Sequence, residues 1–297
     1  MKTEPNEDPV PPQSAETSFL YRLDDELWVD GEPIGVATGG PARWRPGHID
    51  QIAYVTHSQP SRAGVFLFER VHLRNLSSGT TEVVLDIEDH GWSEAGHIDW
   101  DPTGTRLVFA AQEPTGLWVP HILEIRTGEL RRIDSEVAVI DTVFAPDGRI
   151  AAIDITDAAA QFEPVVWLDM EGRVDVVATS VGVNRDPVVS PDGRFVANIR
   201  ASGPLARIFI GRWDLVITDL QTETEWLIGD GRDGFGPPRW IDNSSVVAKH
   251  GRYSEEGVIA SIPDTVIINV ETRAVTLASD IPARAWDPDP TPPTSGR

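Results

Sequence analysis

The sequence predicts an all-β protein, a six-bladed β-propeller with four antiparallel strands in each blade. The first observation is a repeated phrase: residues 100–110 read Trp-Asp-Pro-Thr-Gly-Thr-Arg-Leu-Val-Phe-Ala, and degenerate copies occur five more times. The second is their spacing, because successive copies lie 56, 44, 45, 51 and 46 residues apart, a period typical of propeller blades. The third is that the segments left over at the two ends of the chain complement each other.

One copy of the phrase predicts the strands of one blade. Each copy begins with a short apolar strand, followed by a turn in which Pro presets φ and Gly accepts a positive φ. A second strand rich in β-branched and aromatic residues follows, as at 107–111 and 195–199. A third and a fourth strand, joined by a polar turn, complete the unit, as at 121–125 and 130–133. The copies align on a proline or its substitute at Pro46, Pro102, Pro146, Pro191, Asp242 and Pro288.

The remaining strands give five complete blades between about residues 41 and 280. Third and fourth strands are predicted at 71–76 with 81–85, 165–169 with 174–178, 215–220 with 225–228, and 265–270 with 274–278. Residues 19–37 supply three strands without an opening one, and 283–288 supply an opening strand with nothing after it. Joining them completes a sixth blade, closes the ring and removes two exposed sheet edges.

The repeat resembles that of the TolB-like propeller family. The resemblance rests on the opening strand, the Ser/Asp-Pro-Asp/Thr-Gly turn, the apolar strand and the strand ending in Thr-Gly-Glu, as at 127–129. It extends over about residues 19 to 288. The copy at Trp240 lacks the Pro and the Gly, and the copy at Val189 lacks the aromatic residue. The resemblance implies the fold, and because related propellers serve both as binding scaffolds and as parts of peptidases, it implies no single activity.

Composition bounds the domain organisation and the compartment. We expect one propeller domain at 18–288, flanked by disordered segments at 1–17 and 289–297, which are rich in proline or acidic residues and contain no aromatic residue. No stretch approaches the roughly 18 uncharged apolar residues of a membrane helix, and the first residues contain no apolar signal core. We therefore expect a soluble protein without membrane insertion, either cytoplasmic or exported with its signal already removed.

Charge and cysteine content exclude several classes of function. Asp and Glu number 47 against 25 Lys and Arg, giving a formal net charge of −22. Such a surface repels a nucleic-acid backbone, so we expect no nucleic-acid partner. The chain contains no cysteine, which excludes disulfides, thiol catalysis and cysteine-bound metals.

A candidate site is predicted at one end of the channel. Opening strands line the axis of a propeller, so His97, Asp141 and Asp186 from three consecutive blades are expected to converge, with Arg185 adjacent. One interpretation is a small polar or cation site whose oxygen atoms suit calcium; the other is hydrogen bonding between blades in a wet channel. These positions are found by counting five residues back from the aligned proline, or its substitute, in each copy of the phrase. The six residues at this position are Pro41, His97, Asp141, Asp186, Pro237 and Ala283. Three residues before the aligned position, three copies carry a charged side chain. These side chains are predicted to form a ring deeper in the channel: Arg43, Asp99 and Arg239.

The loop before His97 supplies further candidate binding residues: His90, Trp92 and Glu94. Loops on a rigid scaffold commonly carry binding sites, and this loop is expected at the channel mouth. Ser93 lies in a sequence similar to a Gly-x-Ser-x-Gly nucleophile elbow, but Ala95 replaces the final Gly. An elbow also needs a strand followed by a helix, whereas this segment joins two strands. We therefore assign no catalytic residue.

The sequence favours a non-catalytic scaffold that binds a protein or peptide partner through its channel-mouth loops and needs no cofactor. Two alternatives stay open. One is a propeller enzyme, a lyase or hydrolase, that uses the cluster of His97, Asp141 and Asp186. The other is a carbohydrate or small-ligand binder that uses Trp92 and Trp118, both predicted in loops. Acid and base groups within hydrogen-bond reach favour the enzyme, and an exposed aromatic rim favours the binder.

Overall fold

A computed structural model confirms the predicted all-β propeller, with six antiparallel sheets around a central channel. None of the described segments forms a helix long and apolar enough to cross a membrane. The segments predicted to be disordered, 1–17 and the end of the chain from 291, lie outside the described residues. The structure describes residues 18–24, 26–38, 40–56, 69–157, 162–177, 182–202, 212–229, 233–252, 264–282 and 285–290.

The first three blades follow the predicted order of strands, from the inner strand outward. Blade 1 contains β26 (Trp286–Pro290), β1 (Phe19–Leu23), β2 (Glu26–Val29) and β3 (Glu32–Ala37). Blade 2 contains β4 (Ala42–Arg45), β5 (His48–Thr56), β6 (Arg70–Asn75) and β7 (Thr81–Asp86). Blade 3 contains β8 (Glu94–Ala95), β9 (Asp99–Trp100), β10 (Arg106–Gln112), β11 (Trp118–Glu124) and β12 (Glu129–Arg132).

The other three blades repeat the arrangement. Blade 4 contains β13 (Val139–Phe144), β14 (Ile150–Asp154), β15 (Val165–Leu168) and β16 (Val174–Val176). Blade 5 contains β17 (Asn184–Val189), β18 (Phe195–Ser202), β19 (Arg212–Asp219) and β20 (Thr224–Ile228). Blade 6 contains β21 (Asp233–Phe235), β22 (Arg239–Trp240), β23 (Ser245–Arg252), β24 (Asp264–Asn269) and β25 (Val275–Leu277). In blades 3 and 6 the inner strand is interrupted, so two short pieces pair with the second strand.

Both ends of the chain share blade 1, as predicted. β1 pairs antiparallel with β26, with Phe19 opposite Pro290. β26 continues two residues beyond the predicted domain boundary at 288. The reason is a contact with the next blade: Asp289 is buried, and its Oδ2 accepts a hydrogen bond of 2.8 Å from the backbone N–H of Trp44. Residue 289 therefore belongs to the propeller and not to the tail.

The apolar core lies between neighbouring blades. Second strands are buried on both faces, and the side chains of Leu107, Val108 and Phe109 are fully buried. This burial explains why these strands are apolar throughout and do not alternate with polar residues. Phe195 of blade 5 stacks on Trp240 of blade 6, with ring centroids 6.0 Å apart. Apolar packing between blades therefore stabilises the ring.

Tryptophans of the repeated phrase also connect adjacent blades through hydrogen bonds. In three blades the indole Nε1–H of this tryptophan donates to a backbone carbonyl of the preceding blade. Because a buried indole N–H needs a partner, each bond fixes one inner strand against the next. The bonds run from Trp44 to Asp289 at 3.1 Å, from Trp100 to Arg43 at 3.4 Å and from Trp240 to Val188 at 3.1 Å.

Strand direction gives the channel two different ends. We call the end at which the inner strands begin the mouth, and the opposite end the far end. The Pro-Asp-Gly-like turns follow the inner strands and lie at the far end. The connections that lead into inner strands lie at the mouth, among them 87–93 and 133–138. The second strands run back towards the mouth, so connection 113–117, which follows the second strand of blade 3, also lies there. Phe19 and Pro290, which pair with each other, lie at the far end.

Candidate functional site at the channel mouth

His97, Asp141 and Asp186 occupy equivalent positions on the inner strands of blades 3, 4 and 5. His97 lies between β8 and β9, Asp141 in β13 and Asp186 in β17. Both aspartates have a φ of 51°, and in each strand the pairing register shifts at that point. Aspartate tolerates the left-handed region better than most residues, and a bulge redirects a side chain away from the regular alternation of a strand. The two bulges therefore explain how neighbouring strands bring both carboxylates together.

The three side chains converge, as the sequence predicts. His97 Nδ1 lies 3.1 Å from Asp186 Oδ1 and 3.9 Å from Asp141 Oδ1. One nitrogen or oxygen atom of each residue lies within 4.8 Å of the others. Asp141 Oδ2 also accepts a hydrogen bond of 3.3 Å from the backbone N–H of Asp186. The side chains are 14%, 13% and 9% exposed, in chain order, so the cluster is largely shielded from solvent. We call these three residues the triad.

The predicted charged ring lies beside the triad. Arg43, Asp99 and Arg239 line the same cavity as the triad, which offers about 30 Å³ for water-sized molecules. This space accommodates about two water molecules or one ion, and not a sugar ring or a peptide side chain. Each arginine is buried and donates a hydrogen bond of 2.8 Å from Nη1 to the carbonyl of the residue before it. The arginines are thereby held in place at the inner end of the site.

The charges of the triad are coupled. Burial alone would lower the pKa of His97, but the contact with Asp186 and the nearby charge of Asp141 raise that pKa to about 9. The imidazole is therefore protonated at neutral pH. Burial raises the pKa of Asp141, although the charge of His97 opposes this shift. The triad thus contains a cation between two acidic groups.

Asp99 in the deeper ring is also perturbed. Burial raises the pKa of Asp99 to about 7, while Arg43 and the backbone N–H of Phe144 favour the charged form. That N–H donates to Asp99 Oδ2 at 2.9 Å and links blade 3 to blade 4. Near neutral pH Asp99 is partly protonated, so the ring of two arginines and one carboxyl group carries a positive charge.

Arg185, predicted beside the triad, forms an ion pair with Glu163. Its Nη1 also donates to the backbone carbonyl of Asn184 at 2.5 Å, and Asn184 Nδ2 donates to the carbonyl of Glu163 at 2.8 Å. Sequence reasoning missed the buried Glu163, because this residue lies between the second and third strands of blade 4, outside the repeated phrase. Glu163 therefore compensates part of the Arg185 charge next to the channel.

His90, Trp92 and Glu94 lie at the mouth but are not among the residues that line the cavity. Trp92 is half-buried, with the ring of His90 stacked on it at 4.7 Å and the ring of His121 at 4.4 Å, measured between centroids. Glu94 pairs with Gln112 where β8 meets β10. These three predicted residues therefore belong to the surface around the mouth.

The prediction that Trp118 lies in a loop is wrong. Trp118 is the first residue of β11, pairs with Gln112 and packs near Gly96. Its apolar neighbours in the strand, Val119 onward, explain why the strand starts at this residue. Because Trp118 is half-buried and the Trp92 ring contacts the rings of both His90 and His121, these two tryptophans do not present an open stacking platform for a sugar.

Ser93 has the surroundings of a loop serine. Its Oγ donates to Gln112 Oε1 at 2.7 Å, and its backbone N–H donates to Gln112 O at 3.1 Å. The segment is preceded by a 3₁₀ turn, Ile87–His90, and followed by β8. The strand–turn–helix geometry of a nucleophile elbow is not formed at this serine.

Comparison with known proteins identifies similar folds. No family description matches the chain, and no curated protein sequence matches it. TolB from Acinetobacter baumannii is 17% identical over 93% of this chain and 66% of that chain, with a TM-score of 0.66. A TolB-type structure from Agrobacterium tumefaciens, described as putative TolB, is 14% identical over 88% of this chain and 87% of that one, with a TM-score of 0.63. An oligogalacturonate lyase in complex with manganese is 12% identical over 85% and 70%, with a TM-score of 0.57.

These similarities concern the fold, because the identities are low. The chain spans about two thirds of the length of the Acinetobacter protein. The ring of six blades superposes on the two TolB structures with TM-scores of 0.66 and 0.63, over 93% and 88% of this chain. In fold, this chain is a TolB-like six-bladed β-propeller.

Proposed function

We propose that this protein is a binding scaffold that engages a protein or peptide partner at the channel mouth. The observation that carries the proposal is the contrast between the cavity and its surroundings. The cavity beside the triad offers only about 30 Å³, whereas the connections around it present charged and apolar groups to solvent. A ligand large enough to use these groups lies over the mouth and does not enter the cavity.

The charge of the mouth indicates the kind of partner. Described connections at the mouth carry exposed acidic residues: Glu88, Asp89 and Glu136. Among the described residues these three form no ion pair, whereas other acidic groups are paired with arginines at both ends: Asp86 with Arg70 at 2.6 Å at the mouth, and Asp147 with Arg149 at 2.8 Å and Asp219 with Arg194 at 2.9 Å at the far end. Complementary charge steers association and selects partners. The partner segment is therefore basic.

An apolar group lies among these acidic residues. Leu117 in connection 113–117 is 56% exposed. Pro114 of the same connection is exposed and lies close to Gly91 of connection 87–93, so the two connections lie side by side on blade 3. Single exposed apolar side chains are common on protein surfaces, and Leu117 is singled out by its place among the acidic connections of the mouth. We place the contact with an apolar residue of the partner at Leu117.

Charge reversal at one end of the channel tests the proposal. Glu88→Arg combined with Glu136→Arg reverses charge at the mouth, and Glu129→Arg reverses an exposed charge at the start of β12, at the far end. Partner binding, measured by calorimetry after capture from native extract, should weaken about tenfold or more only in the mouth variant, because like charges facing each other cost several kcal/mol. Equal binding by both variants, or loss only in the Glu129→Arg variant, would contradict the proposal.

An enzyme is the second candidate, and the contact of 3.1 Å between His97 Nδ1 and Asp186 Oδ1 favours it. A protonated imidazole beside carboxylates has the chemistry of a general acid. Because a sugar ring does not enter the cavity, a substrate of this candidate has to present its reacting atoms at the mouth; the lyase among the similar structures makes oligogalacturonate the first substrate to assay. Turnover by the native chain that disappears in His97→Gln would support this candidate over the scaffold.

A further inference from the structure

We propose that His97, Asp141 and Asp186 bind one divalent transition-metal ion, of the Zn²⁺ or Mn²⁺ class. The site goes beyond partner binding, since it uses buried side chains of this chain alone. It also specifies the cation interpretation of the triad, for which the sequence suggests calcium.

The geometry of the triad fits one small ion. Zn²⁺ and Mn²⁺ bind nitrogen and oxygen ligands at about 2.0–2.2 Å, so adjacent ligand atoms lie roughly 3.0–3.5 Å apart. His97 Nδ1 is 3.1 Å from Asp186 Oδ1 and 3.9 Å from Asp141 Oδ1. Small side-chain rotations therefore place all three atoms in one coordination shell, without movement of the strands.

A second observation points to a ligand. Asp186 is 8% exposed, and among the described residues its buried Oδ1 has one nearby donor, His97 Nδ1, which forms an ion pair with it at 3.1 Å but not in hydrogen-bonding geometry. A buried carboxylate oxygen without a well-aligned donor is costly unless something else satisfies it. A metal ion bound between Asp186 and His97 satisfies this oxygen.

The backbone supports the same conclusion. Asp141 and Asp186 both have positive φ at equivalent bulges, a conformation that costs about 1 kcal/mol or more for a residue other than glycine. Strain of this kind persists where the surroundings over-determine it, and it is frequent at ligand sites. Positive φ also occurs in ordinary turns of this chain, as at Asp30 and Arg273, so the informative feature is that the two equivalent bulges direct both carboxylates towards one imidazole.

Charge and space are suited to a divalent ion. Two carboxylates and a neutral imidazole carry a charge of −2, and the ion takes the place of the proton on His97 Nδ1. The adjacent cavity of about 30 Å³ has room for about two water molecules, which would complete the coordination of an ion at the triad. Arg43 and Arg239 line the same cavity and oppose a cation there, so the −2 charge of the triad has to outweigh them.

The ligand set discriminates between classes of metal. Calcium prefers six to eight oxygen ligands, whereas the triad offers one nitrogen and the oxygens of two carboxylates. Imidazole with carboxylate is typical of Zn²⁺ and Mn²⁺ sites. We therefore expect transition ions to bind more tightly than calcium.

Thermal unfolding with each metal alone tests the site. After treatment with a chelator, the protein should melt about 5 °C higher at a Zn²⁺ or Mn²⁺ concentration about one hundred times Kd, with saturation at one ion per chain by calorimetry. Asp141→Asn combined with Asp186→Asn should abolish the shift. Asparagine also tolerates positive φ, so these variants keep the backbone, and His97→Gln provides an independent removal of the nitrogen ligand.

The control is another histidine–carboxylate pair, His250 and Asp233, whose Nε2 and Oδ1 lie 2.9 Å apart. Asp233→Asn should leave the metal response unchanged. A response equal in native and triad variants, no saturable response to either transition ion, or tighter binding of Ca²⁺ would each overturn the proposal. If the native chain shows the metal response but captures no partner at the mouth, the proposed scaffold function alone is refuted and the metal site stands.

Discussion

Three glycines of the repeated turn are equivalent in sequence but not in structure, so alanine should affect them unequally. Gly104, Gly148 and Gly193 have φ values of 67°, 87° and 74°. A Cβ on Gly148 or Gly193 would meet no atom within 4 Å. A Cβ on Gly104 would lie 2.3 Å from the carbonyl oxygen of Pro46 in blade 2, and must displace one of the two turns.

The cost of an alanine follows from these surroundings. Gly148→Ala and Gly193→Ala should each destabilise by about 1 kcal/mol, the cost of placing a side chain in the left-handed region. Gly104→Ala should also disturb the hydrogen bond of 2.7 Å from Arg45 Nε to Gly104 O. Because a hydrogen bond to a charged group contributes about 1.5–3 kcal/mol, we expect a total cost of about 3–4 kcal/mol.

Chemical unfolding of the three variants measures these costs. The midpoint should fall most for Gly104→Ala, with similar denaturant dependence in all three variants. If Gly104→Ala and Gly148→Ala differ by less than about 0.5 kcal/mol, the turns of blades 2 and 3 are not in close contact at the far end.

Three further predictions concern closure, Ser93 and pH. Deleting residues 281–297 removes β26 and should lower the free energy of unfolding by several kcal/mol, because it exposes the edge of β1 and opens the core. Deleting residues 1–15 should leave the melting temperature unchanged. Equal melting temperatures of the two truncated chains would refute closure. Ser93→Ala should change neither stability nor hydrolytic activity, and labelling of Ser93 by a fluorophosphonate would contradict the loop assignment. With a chelator present, the free energy of unfolding should fall by about 3 kcal/mol as pH rises from 6.5 to 9, because the pKa of His97 is about 9 in the folded state against 6.5 in the unfolded chain. The stabilisation is complete below pH 6.5, and His97→Gln should flatten this part of the profile; an unchanged profile would refute the assignment.

Much of the fold is predictable because the signals are local and repeated. The turns with Pro and Gly recur in blades 2 to 5, each followed by an apolar second strand, and counting from the aligned proline placed His97, Asp141 and Asp186 correctly beside one another. A repeat converts a position in the sequence into a position around the channel. That conversion works for inner strands, since all of them line the same axis.

What the sequence did not reveal depends on contacts between distant residues. Glu163 pairs with Arg185 from an irregular segment, and Asp289 extends the last strand through a bond to Trp44. The bulge at Asp186, with its positive φ, is also unpredictable, because aspartate is compatible with a regular strand or turn as well. These features depend on tertiary packing, which neither strand propensity nor the spacing of the repeat reports.

Binding of the partner at the mouth of the channel can be located by photo-crosslinking at single positions. A benzophenone side chain is introduced in place of Glu88 or Glu136 at the mouth, and in place of Glu129 or Asp147 at the far end, and the protein is irradiated in native extract. We predict that the same partner is crosslinked from positions 88 and 136 and not from 129 or 147. Crosslinking of that partner from the far-end positions, with none from the mouth, would contradict binding at the mouth.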